Sequence, residues 1–455
     1  MEKTETKNQI DMLHGPLAHK ILVFAMPLAA SSILQQLFNS ADVAVVGRFA
    51  GSQALAAVGG NGMVINLLIN LFVGLSVGAN VVIAKYIGQG KEKEANETVH
   101  TVMAVAFLSG FFLMALGLFA SKPILELMNT PPDVINLAVL YLRIYFLGMP
   151  FIMVYNFGAA VLRSTGDTKR PLYCLFISGI INVCLNLFLV IVFRMGVAGV
   201  GIATVISNGV SAGLVLSFLL KEKGVTHLCL KQLKINKTHL MKVVKIGAPA
   251  GLQSTVFSLS NVCIQTAVNS FGSSAVAGSA AAANFEMFTY YVTNSFAQAT
   301  VTFTSQNYGA GEYGRCRKIF RLSMGLGILF TGIMSTAFVL TRAYVLRIYT
   351  VDPAALEYAV VRVCMVESLT CLVVTYEIAG AALRGMGNSL LPAILTVIGC
   401  CAFRIVWILT VFRAERSFGR LMIVYPFTWV LTGTMVVASY LLIRKKKEKQ
   451  KDFIF

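Results

Sequence analysis

The chain has 455 residues, of which 56% are hydrophobic and only 13% charged, and its formal net charge is +18. Soluble domains carry roughly 25% charged residues, so water is not the main solvent of this chain, and no polar stretch of roughly 50 residues remains for a separate soluble domain. Its mean hydropathy is +0.74, and the positive charge lies in short segments between apolar runs, a distribution that excludes a nucleic-acid surface.

The opening segment MEKTETKNQIDMLHGPLAHK is polar and leads through Pro27 into the first apolar run, without the short hydrophobic core and cleavage site of a signal peptide. Twelve runs follow in order, at about 20 to 46, 54 to 83, 98 to 120, 134 to 162, 171 to 193, 197 to 220, 241 to 270, 274 to 304, 319 to 341, 355 to 383, 390 to 412 and 421 to 443. Each is long enough for a membrane-spanning helix, which needs about 20 apolar residues. The pattern predicts an all-α integral membrane protein of about twelve transmembrane helices. Lys and Arg gather in alternate loops: the N-terminus, Lys85 to Lys93, Arg163 to Arg170, Lys221 to Lys245, Arg315 to Arg321 and the tail from Arg444 to Lys451. By the positive-inside rule these loops are cytoplasmic, as are both termini, in a multi-pass protein of the cell inner membrane. The basic tail is expected to flank the membrane and contact anionic lipid.

The nine cysteines form no CxxC pair and fall mostly within apolar runs, so they read as small buried hydrophobes. The five histidines, His14, His19, His100, His227 and His239, lie in termini, loops or helix edges and support no metal or catalytic centre.

An internal repeat of about half the chain organises the sequence. Pro27 pairs with Pro249 and Phe49 with Phe271, both at a spacing of 222. YIGQG at 86 to 90 matches NYGAG at 307 to 311, and Asp133 with Arg143 matches Asp352 with Arg362. AAVLRSTGDTKRP, ending at Pro171, matches AAALRGMGNSLLP, ending at Pro392. An even number of spans per half gives a parallel repeat, with expected boundaries of 1–220 for one six-helix lobe, 221–240 for a cytoplasmic linker and 241–455 for the second lobe. Transporters with such repeats carry substrate between their halves near the bilayer midplane.

LQQLFNSADVAVVGRFAGSQALAAVG, the paired turns LRSTGD and LRGMGN, and YIGQGK with NYGAGE resemble the multidrug and toxic compound extrusion (MATE) family over nearly the whole chain, in its bacterial branch with an aspartate in the first helix. The resemblance implies a V-shaped twelve-helix fold that exports amphipathic, mostly cationic small molecules by antiport with protons or sodium ions. Alternating access between two lobes, a monomer and no cofactor beyond the coupling ion are expected with it. Relatives in the same superfamily flip lipid-linked saccharides.

A charge at the bilayer centre costs about 2.5–3.5 kcal/mol on insertion scales, which makes intramembrane ionisable residues functional candidates. Asp42 lies within the first run, and Gln35, Phe38, Asn39 and Asp42 share one helix face by their spacing, with a place near the outer helix end, reaching water or Arg48, as the alternative for Asp42. The family resemblance adds Asn182 and Asn186 on the fifth span and Thr204 on the sixth as partners of Asp42 in a cation or proton site. Asn186 stands where relatives often have an acid, so a single carboxylate serves the site, a balance that leans toward protons over sodium. The seventh span has Phe257 where the family's other branch has an acid, so no second ion site is carried over. Gln35, Phe38, Asn39, Asn156, Glu286 and Glu377 are assigned to the substrate cavity, with buried ion pairing as the alternative for Glu286 and Glu377. Asn61, Asn66, Asn70 and Asn80 read as helix-packing residues, and the turns at Gly166 and Gly387 as structural elbows.

A membrane enzyme finds no HExxH, GxSxG or paired-cysteine motif, and a receptor finds no extramembrane domain. A flippase of lipid-linked saccharide precursors would want several basic residues to meet pyrophosphate, and the spans hold little beyond Arg143, Arg362 and Arg404.

Overall fold

The computed structural model describes residues 9–128 and 130–452, and all regular structure among them is helical. The first half contains α1 (Leu17–Phe49), α2 (Ser52–Gly88), α3 (Glu92–Leu127), α4 (Ile135–Leu147), α5 (Met149–Ser164), α6 (Lys169–Leu187) and α7 (Gly196–Lys221). The second contains α8 (Lys237–Asn269), α9 (Ser273–Gly309), α10 (Tyr313–Val345), α11 (Pro353–Met365), α12 (Val373–Gly385), α13 (Leu390–Thr396), α14 (Phe403–Leu409), α15 (Val411–Ala414), α16 (Phe418–Met422) and α17 (Val424–Asp452).

Among the described residues nine helical segments are long and apolar enough to span a membrane, and the bent pair α4 and α5 makes a tenth. The two remaining apolar runs are the helices α8 and α9. They fall short of that standard because QSTVFSLSNVCIQT in α8 and NFEMFTYYVTNSF in α9 interleave polar groups with the apolar ones.

Breaks recur at equivalent places in the repeat. The chain turns by 47° between α4 and α5, beside Gly148. The corresponding span of the second half is interrupted by a 3-10 stretch, Glu367–Leu372, between α11 and α12. Two π-helical stretches, Phe188–Val192 after α6 and Val397–Ala402 before α14, also widen spans locally. Such widenings are frequent at functional positions, because they turn side chains out of the helical register.

The described chain divides into two compact units, Ala30–Gly251 with the short stretch ending at Asp11, and Met12–Ala29 with the second half from Leu252 onward. Both divided helices carry an internal proline just before the division, Pro27 in α1 and Pro249 in α8. Proline removes a backbone donor and crowds the preceding turn, a natural place for a long helix to change partners.

Within the first unit, α2 and the opening of α8 cross at backbone distance. Gly74 and Gly78 meet Gly247 and Gly251, and a Cβ added to Gly74 would lie 2.3 Å from the Cα of Gly251. Small residues four apart on both helices are the usual means of such an approach in lipid. Tyr86, which opens YIGQG, fixes the same opening segment: its hydroxyl lies 3.2 Å from His239 Nδ1 and accepts from Lys242 Nζ at 2.7 Å. In the second unit the matching residue is Asn307, which opens NYGAG. It donates from Nδ2 to the carbonyl of Met12 at 3.0 Å, while Phe24 packs edge-on against Phe303. The core of this unit centres on α9, which packs against α10, α11 and α12 through residues such as Ala282, Phe285, Ala359 and Val363.

The two elbows are alike in backbone and unlike in bonding. Gly166 and Gly387 have φ of +91° and +87°, a region that L side chains rarely enter. After Gly166, Asp167 Oδ1 accepts from the backbone N–H of Lys169 at 3.1 Å and of Arg170 at 3.0 Å, and Arg170 bridges Asp167 to Glu222 at 2.7 Å from the latter. After Gly387, Asn388 Oδ1 accepts only from the N–H of Leu391, at 3.4 Å.

Candidate functional site

In the first unit the polar residues of three helices converge. Asp42 of α1 accepts a hydrogen bond from Nδ2 of Asn186, on α6. That same Nδ2 donates to Oδ1 of Asn182 at 3.3 Å, one turn back on α6. Asn182 in turn donates to Ser207 Oγ of α7 at 3.4 Å, and Ser207 donates to the carbonyl of Thr204 at 3.0 Å. The Thr204 hydroxyl donates to the Val200 carbonyl at 2.9 Å, which keeps the lone pairs of its oxygen available. Asn182 and Asn186 are buried, and Asp42 is half-buried. The Oδ1 of Asn186 is buried without a hydrogen-bond partner, a costly arrangement unless a donor or cation meets it.

Asp42 thus accepts from Asn186 alone, the first member of a hydrogen-bonded chain that runs on through Asn182 to Ser207, and one amide oxygen of Asn186 is unmet. Chemically the arrangement suits a carboxylate that exchanges charge with a proton or a hard cation, with oxygens of Asp42, Asn186 and Thr204 as candidate ligands. Among the described residues there is no group of three His, Cys, Asp or Glu side chains of the kind that holds a transition metal.

The other assigned residues are placed as follows. Phe38 is half-buried against α6, where Gly179 makes room for its ring: a Cβ on Gly179 would lie 1.8 Å from Phe38 Cε2. Gln35 and Asn39 are exposed on the same helix. Asn156 of α5 donates to the carbonyl of Ile152 at 2.8 Å, so its amide is tied to its own helix. Asn61 donates to the Ala138 carbonyl at 2.9 Å and joins α2 to α4. Glu286 of α9 is held by Arg362 of α11 through two parallel bonds of 2.7 and 2.8 Å. Glu377 of α12 is half-buried and interacts electrostatically with Arg384 and Tyr290.

Several neighbours escape a reading of the sequence. Tyr141 and Tyr145 of α4 lie within electrostatic reach of Asp42; their only signal is a pair of hydroxyls four apart in an apolar run. Ser207 completes the amide chain but looks like any serine in a transmembrane helix. Glu367, at the break between α11 and α12, is fully buried and takes its hydrogen bonds from hydroxyls, Thr289 at 2.5 Å and Thr370 at 3.3 Å.

Among the described residues, an all-helical architecture with repeated spans, broken at equivalent positions and holding buried carboxylates and amides within them, has the construction of a membrane transporter. The MatE family model matches residues 27–188 and again 249–409, one copy per half. The chain belongs to the MatE family. It is 27% identical over 436 residues to a Bacillus subtilis protein named probable multidrug resistance protein YoeA, covering 94% of each chain. It is 24% identical over 451 residues to a Shewanella oneidensis protein named FAD transporter, covering 96% of this chain and 97% of the relative. Among solved structures, an outward-facing multidrug resistance MATE family transporter superposes with a TM-score of 0.92 at 19% identity, covering 98% of this chain and all of the other.

Proposed function

We propose that this chain is a secondary efflux transporter for amphipathic, mostly cationic small molecules, coupled by antiport to protons or sodium ions at Asp42. The observation that carries the reading is the hydrogen bond from Asn186 to Asp42, with Asn182 and Ser207 linked behind Asn186 and one buried amide oxygen left unmet. The names of multidrug-resistance relatives support the substrate class, and the doubled family match supports alternating access between two halves. The cytoplasmic termini, the inner-membrane location, the cytoplasmic linker at 221–240 between lobes 1–220 and 241–455, lipid contact by the basic tail and a monomeric state belong to the same proposal. A cysteine at the exposed Lys231 should be labelled from the cytoplasmic side alone; labelling of intact cells by an impermeant reagent would overturn the topology.

The coupling test uses purified protein in vesicles with a sodium gradient or a pH gradient imposed singly. One gradient should drive accumulation of a lipophilic cation and the other should not. Asp42→Asn keeps shape and most hydrogen bonding but removes the exchangeable charge, and each charge moved through 100 mV is worth about 2.3 kcal/mol. Gradient-driven accumulation should therefore vanish while the protein remains monodisperse. Wild-type accumulation by the Asn variant would move the coupling role away from Asp42.

A further inference from the structure

Two arginines lie inside the second unit, and only one of them has a counter-charge. Arg362 is 7% exposed and is neutralised by the two parallel bonds to Glu286. Arg404 is 1% exposed and sits at the start of α14, directly after the π-helical stretch Val397–Ala402. No carboxylate among the described residues lies within ion-pair distance of it. Its one hydrogen bond runs from Nη1 to Oδ1 of Asn261, on α8, at 3.0 Å. Aromatic rings cover its faces: the guanidinium carbon is 4.6 Å from the Tyr425 centroid and 5.1 Å from that of Phe257. The Nε donor is buried and meets no acceptor.

Guanidinium chemistry defines what would complete this arrangement. The ring faces satisfy the plane of the cation and leave its edge open. That edge, Nε with the neighbouring Nη2, is a fork of parallel donors matched to two oxygens of a carboxylate or phosphate. A buried charge lacking a partner is strongly unfavourable, and an arriving oxyanion removes the imbalance. The Tyr425 and Phe257 rings beside the fork favour an aromatic body attached to that oxyanion.

We propose that Arg404, supported by Asn261, Phe257 and Tyr425, is a subsite for the carboxylate or phosphate group of an aromatic amphipath. It extends the transport reading, on which its description as a cargo site rests: compounds carrying an anionic group, alone or beside a cationic one, are bound through the second unit.

The test is an equilibrium binding assay on the purified full chain in detergent. The protein's only two tryptophans, Trp407 and Trp429, both lie in this unit, Trp407 on α14 with Arg404. Energy transfer from them to a pyrene probe reports binding, corrected for transfer in micelles of the denatured protein. Three probes share one hydrophobic body: pyrenebutyrate, pyrenebutanol and a pyrenebutyl trimethylammonium. Wild type should bind the carboxylate about tenfold more tightly than the alcohol, a difference of about 1.4 kcal/mol, and benzoate should compete. In Arg404→Gln the preference for carboxylate over alcohol should fall to unity, and the relative affinity for trimethylammonium should rise. Arg404→Lys keeps the charge but loses the fork, and should keep only part of the preference. Equal binding of carboxylate and alcohol by wild type, or an undiminished preference in Arg404→Gln, overturns the proposal. Should Arg404→Gln fail to fold, benzoate competition on wild type and the Lys variant decide alone. Competition by phosphatidylglycerol but not by benzoate assigns the fork to a lipid headgroup and overturns the cargo assignment. No gradient enters the assay, so its failure leaves coupling at Asp42 standing, and failure of coupling leaves this subsite standing.

Discussion

The two units are built on one repeat and carry opposite interiors. Transferring the offset of Pro27 and Pro249 to Asp42 gives Ile264, and transferring that of Pro171 and Pro392 to Asn182 and Asn186 gives Phe403 and Trp407. The first unit therefore has a carboxylate with amides where the second has an aliphatic and two aromatic side chains. Beside them the second unit adds Arg404, and two of its acids are already engaged, Glu286 by Arg362 and Glu367 by threonine hydroxyls. Duplication preserved the scaffold of spans, prolines and breaks, while charge at the equivalent depth diverged in sign. An acid on one side and a base on the other give one fold two kinds of chemistry.

The contrast can be broken from either side. The largest effect is expected for Glu286→Gln, which leaves Arg362 buried with no carboxylate. Breaking such a pair costs about 3–5 kcal/mol, seen as a large fall in the apparent melting temperature of the detergent-solubilised protein. Glu286→Gln with Arg362→Met removes both charges and should recover most of the loss. Survival of the single variant at wild-type stability would mean that the pair does not hold α9 to α11.

A smaller effect is expected in the first unit from Gly179→Ala. Its added methyl falls on the Phe38 ring, and overpacking of this kind costs about 1–3 kcal/mol. The equivalent positions in the second unit, Cys400 and Ser260, hold two small side chains, so the steric restriction belongs to the first unit alone. Because Phe38 and Gly179 set the approach of α1 to α6, Gly179→Ala should also weaken gradient-driven transport, and Phe38→Leu in the same chain should restore it. Transport unchanged in the single variant would separate that contact from Asp42.

The smallest effects are expected at the elbows, and their ratio is the informative quantity. Asn388→Ala removes one long hydrogen bond and should cost about 0.5–1 kcal/mol. Asp167→Ala removes two backbone bonds and a partner of Arg170, and should cost about 1–3 kcal/mol. Equal melting temperatures for the two variants would show that the Arg170 bridge adds nothing to its elbow.

Much of the architecture was legible in the sequence, because membrane solvation forces long apolar runs and a repeat of about half the chain leaves visible pairs such as Pro27 with Pro249. Asp42 stood out through the cost of an acid in an apolar run, and its amide partners through the family motif. Glu286 stood out for the same cost, yet its partner could not be read, because Arg362 lies 76 residues away on a helix whose rotation no periodicity fixes. Arg404 was visible as a charge, but its lack of a counter-ion depends on its neighbours on other helices, among them α8 and α17. Ser207 carried no signal, and Tyr141 only its spacing of four from Tyr145, since a hydroxyl in a span is ordinary until its neighbours are known. The reduced hydropathy of α8 and α9 comes from the polar groups that a repeat of two ordinary bundles would not require.

The divided helices have a consequence for how such a chain arose. Met12–Ala29 belongs with the second unit, and the opening of α8 up to Gly251 belongs with the first, each fastened there by the first residue of a matching pentapeptide, Asn307 or Tyr86. A half-length ancestor ending near the present linker would not have contained either unit whole. Two copies trading their opening segments would have contained both, which is the logic of a domain-swapped homodimer.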